Sequence, residues 1–142
     1  MKRFALLSVF SLLLASAVFA PVAMAQELGE VDVQSVRLGP GGSVTVTGTI
    51  ECVAGYSAIP NVEVRQRTSG NVNNVAQVGT GYIMCETDGP TAFTASGFGR
   101  VGELETRFRR GPATIRPNGL IISPDSSTIT YWEGALEPVY IR

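Results

Sequence analysis

The 142-residue chain contains no histidine, a single lysine (Lys2) and two cysteines, Cys52 and Cys85. Without histidine there is no Ser-His-Asp or Cys-His nucleophile, and without lysine beyond residue 2 there is neither a Ser-Lys dyad nor a side-chain Schiff base in the body of the chain. Two cysteines with no histidine do not close a tetrahedral zinc shell. Beyond residue 25 there is no Gly-rich phosphate loop, no clustered acidic calcium loop and no N-x-S/T sequon, so no cofactor and no metal is implied. Carboxylate chemistry is the one catalytic class left open.

Long apolar runs are also scarce. The one present spans Phe4 to Phe19, follows Met1-Lys2-Arg3 and precedes Ala23-Met24-Ala25. A basic start, a short apolar stretch and a small-x-small site form a secretory signal peptide, with cleavage expected after Ala25. No cysteine follows that site, which argues against a lipoprotein, and nothing after residue 26 approaches the ~18 apolar residues of a spanning helix. The reading is a secreted, extracellular chain with no membrane span once residues 1–25 are removed. The remaining 117 residues suit one domain. They carry nine arginines against twelve carboxylates, a formal net charge of −3 that gives no reason to expect nucleic acid.

Cys52 and Cys85 lie 33 residues apart, each at the end of a strand-like run, "SVTVTGTIEC" and "VGTGYIMC". In an oxidising compartment the pair is expected as a disulfide, joining the two sheets of a sandwich or, as the alternative, neighbouring loops. The spacing does not match a C-x-x-C redox motif.

Residues 43–52 alternate with Val44, Val46, Ile50 and Cys52 on one face and Thr45, Thr47, Thr49 and Glu51 on the other, the period of a half-buried strand. "VDVQSVR", "NVEVRQR" with Val62 and Val64 inward, "VAQVGTGYIMC", "TAFTASGF", "ELETRFR" with Leu104, Thr106 and Phe108 inward, "PATIR", "LII", "TITYW" and "PVYIR" read as further strands. Turns are predicted at 39–42, 88–90, 117–119 and 123–126, and a polar loop at 69–74. No segment of ten residues carries a 3.6-residue period. The fold expected is all-β, an antiparallel Ig-like β-sandwich of about eight strands over residues 35–142 with a lead-in at 26–34; a closed barrel is the alternative. Ig-like describes architecture only, since the single tryptophan, Trp132, follows both cysteines.

Four groups of residues are candidates for a site. Arg65, Arg67, Arg107, Arg109 and Arg110, with Arg116 nearby, could form one anion-binding patch, because planar guanidinium groups suit phosphate, sulfate and carboxylate. Neutralisation by Glu63, Glu103 and Glu105 on a solvated face is the competing reading. Glu86 and Asp88 are the one carboxylate pair placed in an organised loop, as glycoside cleavage would need, though "CETDGP" also reads as a plain turn. Tyr131, Trp132 and Tyr140 could make an aromatic platform, and Phe93, Phe98 and Trp132 could line a cleft for a small apolar ligand.

The stretches "SVTVTGTIECVAG", "VEVRQR", "GYIMCETDG", "AFTASG" and "FRRGPATIR" together resemble a family of small secreted bacterial proteins, mostly actinobacterial, that carries no functional name. The resemblance covers about residues 43 to 116 and implies export, a stapled sandwich and the disulfide, with no catalytic or binding residues to carry over. The function expected is a non-enzymatic interaction module that meets an anionic cell-envelope polymer or another extracellular protein; the alternative is a carrier of a small apolar ligand.

Overall fold

A computed structural model of the chain describes residues 26–142. The expected leader, residues 1–25, lies outside the described residues. Eleven strands run in chain order: β1 (Val31–Leu38), β2 (Val44–Cys52), β3 (Ser57–Ser69), β4 (Val72–Gly79), β5 (Ile83–Met84), β6 (Gly89–Gly97), β7 (Gly99–Val101), β8 (Leu104–Thr106), β9 (Gly111–Ile122), β10 (Ile129–Glu133) and β11 (Glu137–Ile141). One antiparallel sheet has the order β1-β2-β6. The other has the order β10-β9-β3-β4-β7-β8, with β11 also on β9 and β5 on β3. Among the described residues no helix is long and apolar enough to cross a membrane.

The sheets pack because their strands alternate as a pleat requires. Val44, Val46 and Ile50 of β2 are wholly buried against Ala58, Val62 and Val64 of β3, Val78 of β4, and Ile115 and Ile121 of β9, with Ile141 of β11 also in this core. Burying each such Val or Ile stabilises the fold by roughly 1.5–3 kcal/mol relative to leaving it in water. The two layers are continuous at both sides. At Phe98 the chain leaves β6 in one sheet and enters β7 in the other, a corner turned by a strand that changes sheets. On the opposite side Arg142 donates its N–H to Val36 O (3.2 Å) and accepts the N–H of Leu38 (2.8 Å), sealing β1 to the end of β11.

The Cys52–Cys85 disulfide is present, with Cα atoms 5.9 Å apart. It joins the end of β2 to the segment after β5, where Cys85 N–H bonds Tyr56 O (2.9 Å) and Gly55 N–H bonds Cys85 O (2.8 Å), so the bridge ties one sheet to the other.

Several local expectations are corrected. Pro117-Asn118-Gly119 is no turn: β9 runs through it from Gly111 to Ile122. β11 covers Gly111 to Ile115 and β10 covers Asn118 to Ile122, so the N–H that Pro117 lacks falls between them, while its carbonyl accepts Gly134 N–H at 2.9 Å. Gly119 is required there, since a Cβ would lie 2.0 Å from Gly29 O. The loop expected at 69–74 shrinks to the two residues Gly70 and Asn71 between β3 and β4. Leu104, expected inward, is 73% exposed, because β8 is a three-residue strand held by β7 alone and its alternation has no opposing layer. β1 begins at Val31, which is 3% exposed, so the sheet takes up four residues assigned to the lead-in.

Between β9 and β10, Asp125 organises the turn. Its Oδ1 accepts the hydroxyls of Ser123 (2.6 Å) and Ser127 (2.7 Å) and the N–H of Ser127 (3.0 Å), while Ser126 takes a left-handed φ of 58°. These bonds to the charged form, that from Ser123 first, hold the carboxyl at about 2 instead of 3.8.

Two outcomes follow for stability. Replacing both cysteines by serine should cost about 3–4 kcal/mol for a closed loop of this length, read as a lower urea midpoint under oxidising conditions and no change on adding reductant. A carboxyl depressed in the folded state stabilises above its unfolded value and loses that contribution as pH falls. Asp125→Asn should therefore lower the thermal midpoint at neutral pH, and the difference from the parent should close as pH drops from about 4 towards about 2.

Candidate anion-binding site

β3 keeps its inward phase past Val62 and Val64 to Gln66, which is 6% exposed, and β4 places Asn74, wholly buried, directly opposite it. A buried amide needs partners. Gln66 finds both in one residue: Nε2 donates to Arg109 O at 2.7 Å and Oε1 accepts Arg109 N–H at 2.9 Å. Asn74 Oδ1 accepts the Thr106 hydroxyl, and its side chain fills the space a Cβ on Gly99 would need. Two buried amides thus grip the segment after β8 at Thr106 and Arg109.

Between these grips Phe108 is 2% exposed and donates its N–H to Gly42 O at 2.8 Å. With Phe108 driven inward, Arg107 and Arg109 are exposed on either side of it, followed by exposed Arg110. Gly42, at φ 84°, lies under Arg107, where a Cβ would come within 2.6 Å of the arginine's own Cβ. Arg107, Arg109 and Arg110 line an open cleft of about 920 Å³ whose opposite wall includes Arg67 and Thr68 at the end of β3. Glu105 is the one carboxylate among the lining residues.

Of the five arginines expected in one patch, the structure brings four together. Arg65 is the exception: it sits on the outer face of β3, where Nε bonds Glu63 Oε1, and Glu63 Oε2 accepts Gln77 Nε2 at 2.8 Å. Arg67 lines the cleft with its guanidinium fastened to Gly70 O and to Asn71 Oδ1. Among the described residues the ion pairs within 4.0 Å are Arg65–Glu63 and Arg116–Glu133, so neutralisation operates at Glu63 and does not operate at Glu103 or Glu105. The cleft carries four guanidinium groups against one carboxylate.

The other candidates are dispersed. Asp88 Oδ1 accepts Ala54 N–H at 2.9 Å, fastening the two loops beside the disulfide, and neither Asp88 nor Glu86 lines the cleft. Tyr131 and Tyr140 both face outward, but they pair with Leu120 and Pro112, eight residues apart on β9. That is roughly 26 Å at ~3.3 Å per residue, too far for one platform with Trp132, which is half-buried and packs against the core. Phe93 is buried over Gly48, Phe98 is 43% exposed beside Gly41, and Trp132 packs by Gly134 and Pro117, so the three line no common cleft.

Gln66 and Asn74 are the residues that sequence reading missed. Their signal is phase: each continues the inward alternation of Val62 and Val64 or of Ala76 and Val78 with a polar side chain. Gln66→Leu should lower stability by about 1–3 kcal/mol, because it strands the Arg109 N–H and C=O, and hydrogen exchange at the Arg109 amide should accelerate. Arg109→Ala keeps the same backbone groups and should change neither reading. No protein-family model, curated protein or solved structure matches the chain.

Proposed function

We propose that the protein is a secreted, non-enzymatic binding module whose arginine cleft takes an anionic polymer of the cell envelope. The observation that carries this reading is the convergence of Arg67, Arg107, Arg109 and Arg110 on one cleft with a single carboxylate among its walls. All four have exposed side chains that make no ion pair among the described residues, and that of Arg67 is held by Gly70 O and Asn71 Oδ1. Guanidinium forks bind phosphate, sulfate and carboxylate in two-point geometry. A concave wall of one sign also focuses field more strongly than the same charges spread on a convex surface.

Export supports a partner outside the cell. It rests on the leader pattern of residues 1–25 and is compatible with the disulfide. The lack of histidine and of lysine beyond residue 2 favours binding over nucleophilic catalysis. The cleft is open and its arginines lie along a chain segment, which suits a repeating polyanion better than an enclosed small molecule.

The test is co-sedimentation of the purified protein with cell envelopes at low and high salt. Retention at low salt should fall steeply as salt rises, because exposed charge contacts are screened beyond about 10 Å at 0.1 M. The triple variant Arg107→Ala, Arg109→Ala, Arg110→Ala should lose the low-salt retention while keeping its urea midpoint. Arg65→Ala should retain it. Equal retention of the triple variant and the parent at low salt would overturn the reading.

A further inference from the structure

The nine-residue strand β6 ends its sheet, and its outer edge can be assigned residue by residue. Alternate residues of an antiparallel strand bond to opposite neighbours. Glu51 donates its N–H to Glu30 O at 2.8 Å and accepts Gly29 N–H at 2.9 Å, so odd-numbered residues of β2 face away from β6 and even-numbered ones face it. Their register partners Gly89, Thr91, Phe93, Ala95 and Gly97 therefore spend their backbone groups on β2. Ala92, Thr94 and Ser96 turn N–H and C=O to the open edge, as does the carbonyl of Pro90. Among the described residues no strand is hydrogen-bonded to that edge, and β4 approaches the strand at its last residue, Gly97, where Val78 and Gln77 O lie close.

The edges of β1, β8 and β10 are guarded. β1 is sealed by Arg142, β8 has three residues and adjoins Glu103 and contains Glu105, and β10 has five residues and ends at Glu133. By contrast β6 carries no charged side chain, keeps an unbroken register with β2, and has its proline near one end. A long, uncharged, regular edge is a template for another strand.

We propose that β6 pairs with β6 of a second copy of this chain, antiparallel across a two-fold axis at Thr94, making one six-stranded sheet from two three-stranded ones. In that register Thr94 faces Thr94 and Ala92 faces Ser96, so the three free N–H groups of each copy all find carbonyls. Pro90 falls beyond the last bonded pair, where its missing N–H costs nothing. The outward side chains are small, threonines opposite one another favour the pair, and no charge meets a like charge. An isologous contact of this kind closes at two copies, since the pairing uses up the edge of each. It is independent of the arginine cleft.

Sedimentation velocity of the purified full chain across micromolar to millimolar concentrations tests this, together with hydrogen exchange of single amides. The weight-average mass should rise towards twice that of one chain, and exchange at Ala92, Thr94 and Ser96 should slow in step. Thr94→Pro removes the central N–H without touching the bonds to β2, and Thr94→Lys sets two ammonium groups face to face; both should stay monomeric with an unchanged strand spectrum. Thr49→Lys, on the same outer face but away from the edge, should still dimerise. If Thr94→Pro fails to fold, Thr94→Lys decides, because its side chain points into water. A mass that does not change with concentration, a dimer that survives both Thr94 variants, or a dimer in which the three amides stay unprotected would overturn the proposal.

Discussion

Pairing of β3 with β9 is the contact from which the rest of the larger sheet hangs. It runs without interruption from Ser57 opposite Ile122 to Arg65 opposite Thr114. β4 and β5 occupy the far edge of β3, and β10 and β11 occupy the far edge of β9. Because both strands alternate buried and half-buried residues in phase, a slip of β3 by one position would send Glu63 and Arg65 into the core and Val62 and Val64 into water. Proline is tolerated in this central ribbon only where a shorter partner gives way to the next. Pro117 lies between the strands β11 and β10, and Pro60 between the pairing of Ala58 with β5 and that of Asn61 with β4.

The far end of the β3–β4 hairpin exchanges packing for positioning. Where the inward positions cease to be valine they become Gln66 and Asn74, and these amides take hold of a neighbouring segment that has no ladder of its own beyond Thr106. Gln66 acts as a one-residue extension of the sheet, offering Arg109 the donor and acceptor a strand would offer. Asn74 Nδ2 has no hydrogen-bond partner, which places an unpaired buried donor beneath the cleft. Such a group lowers stability relative to a satisfied one. An apolar pair at these positions would pack without that loss, yet it would leave the arginine segment with no fixed path.

What the sequence disclosed was alternation and the cysteine pair, and what it concealed was partnership. Val44 to Cys52 reads as a strand from residue types alone, and so does the inward phase of Val62 and Val64, because each position is decided by its own side chain. The disulfide was legible for a different reason, there being only two cysteines to pair. Pro117-Asn118-Gly119 misled because its turn chemistry is genuine, and only the gap between β10 and β11, set by residues 129–141, makes an extended path available. Leu104 misled because alternation predicts burial only where a second layer exists to bury against. The arginines show the same divide: their number was visible, whereas the separation of Arg65 from the other four depended on Glu63 sharing its face of β3.

The chemistry of the cleft is narrowed further by what the chain does not contain. All its cations beyond residue 2 are guanidinium groups, and it has no imidazole. Guanidinium stays protonated throughout the range in which proteins fold, and the side chain whose ordinary titration spans pH 5 to 8 is missing, so the positive wall has no switch of its own near neutrality. An anion held here would be released by competing salt or by its own protonation, and a slightly alkaline or acidic medium would act only through the anion. Under the proposed function, retention would therefore respond to charge density along the partner and not to a pH change near neutrality. If the cleft takes a polyanion as proposed, the eleven carboxylates outside it would repel that partner from the rest of the molecule.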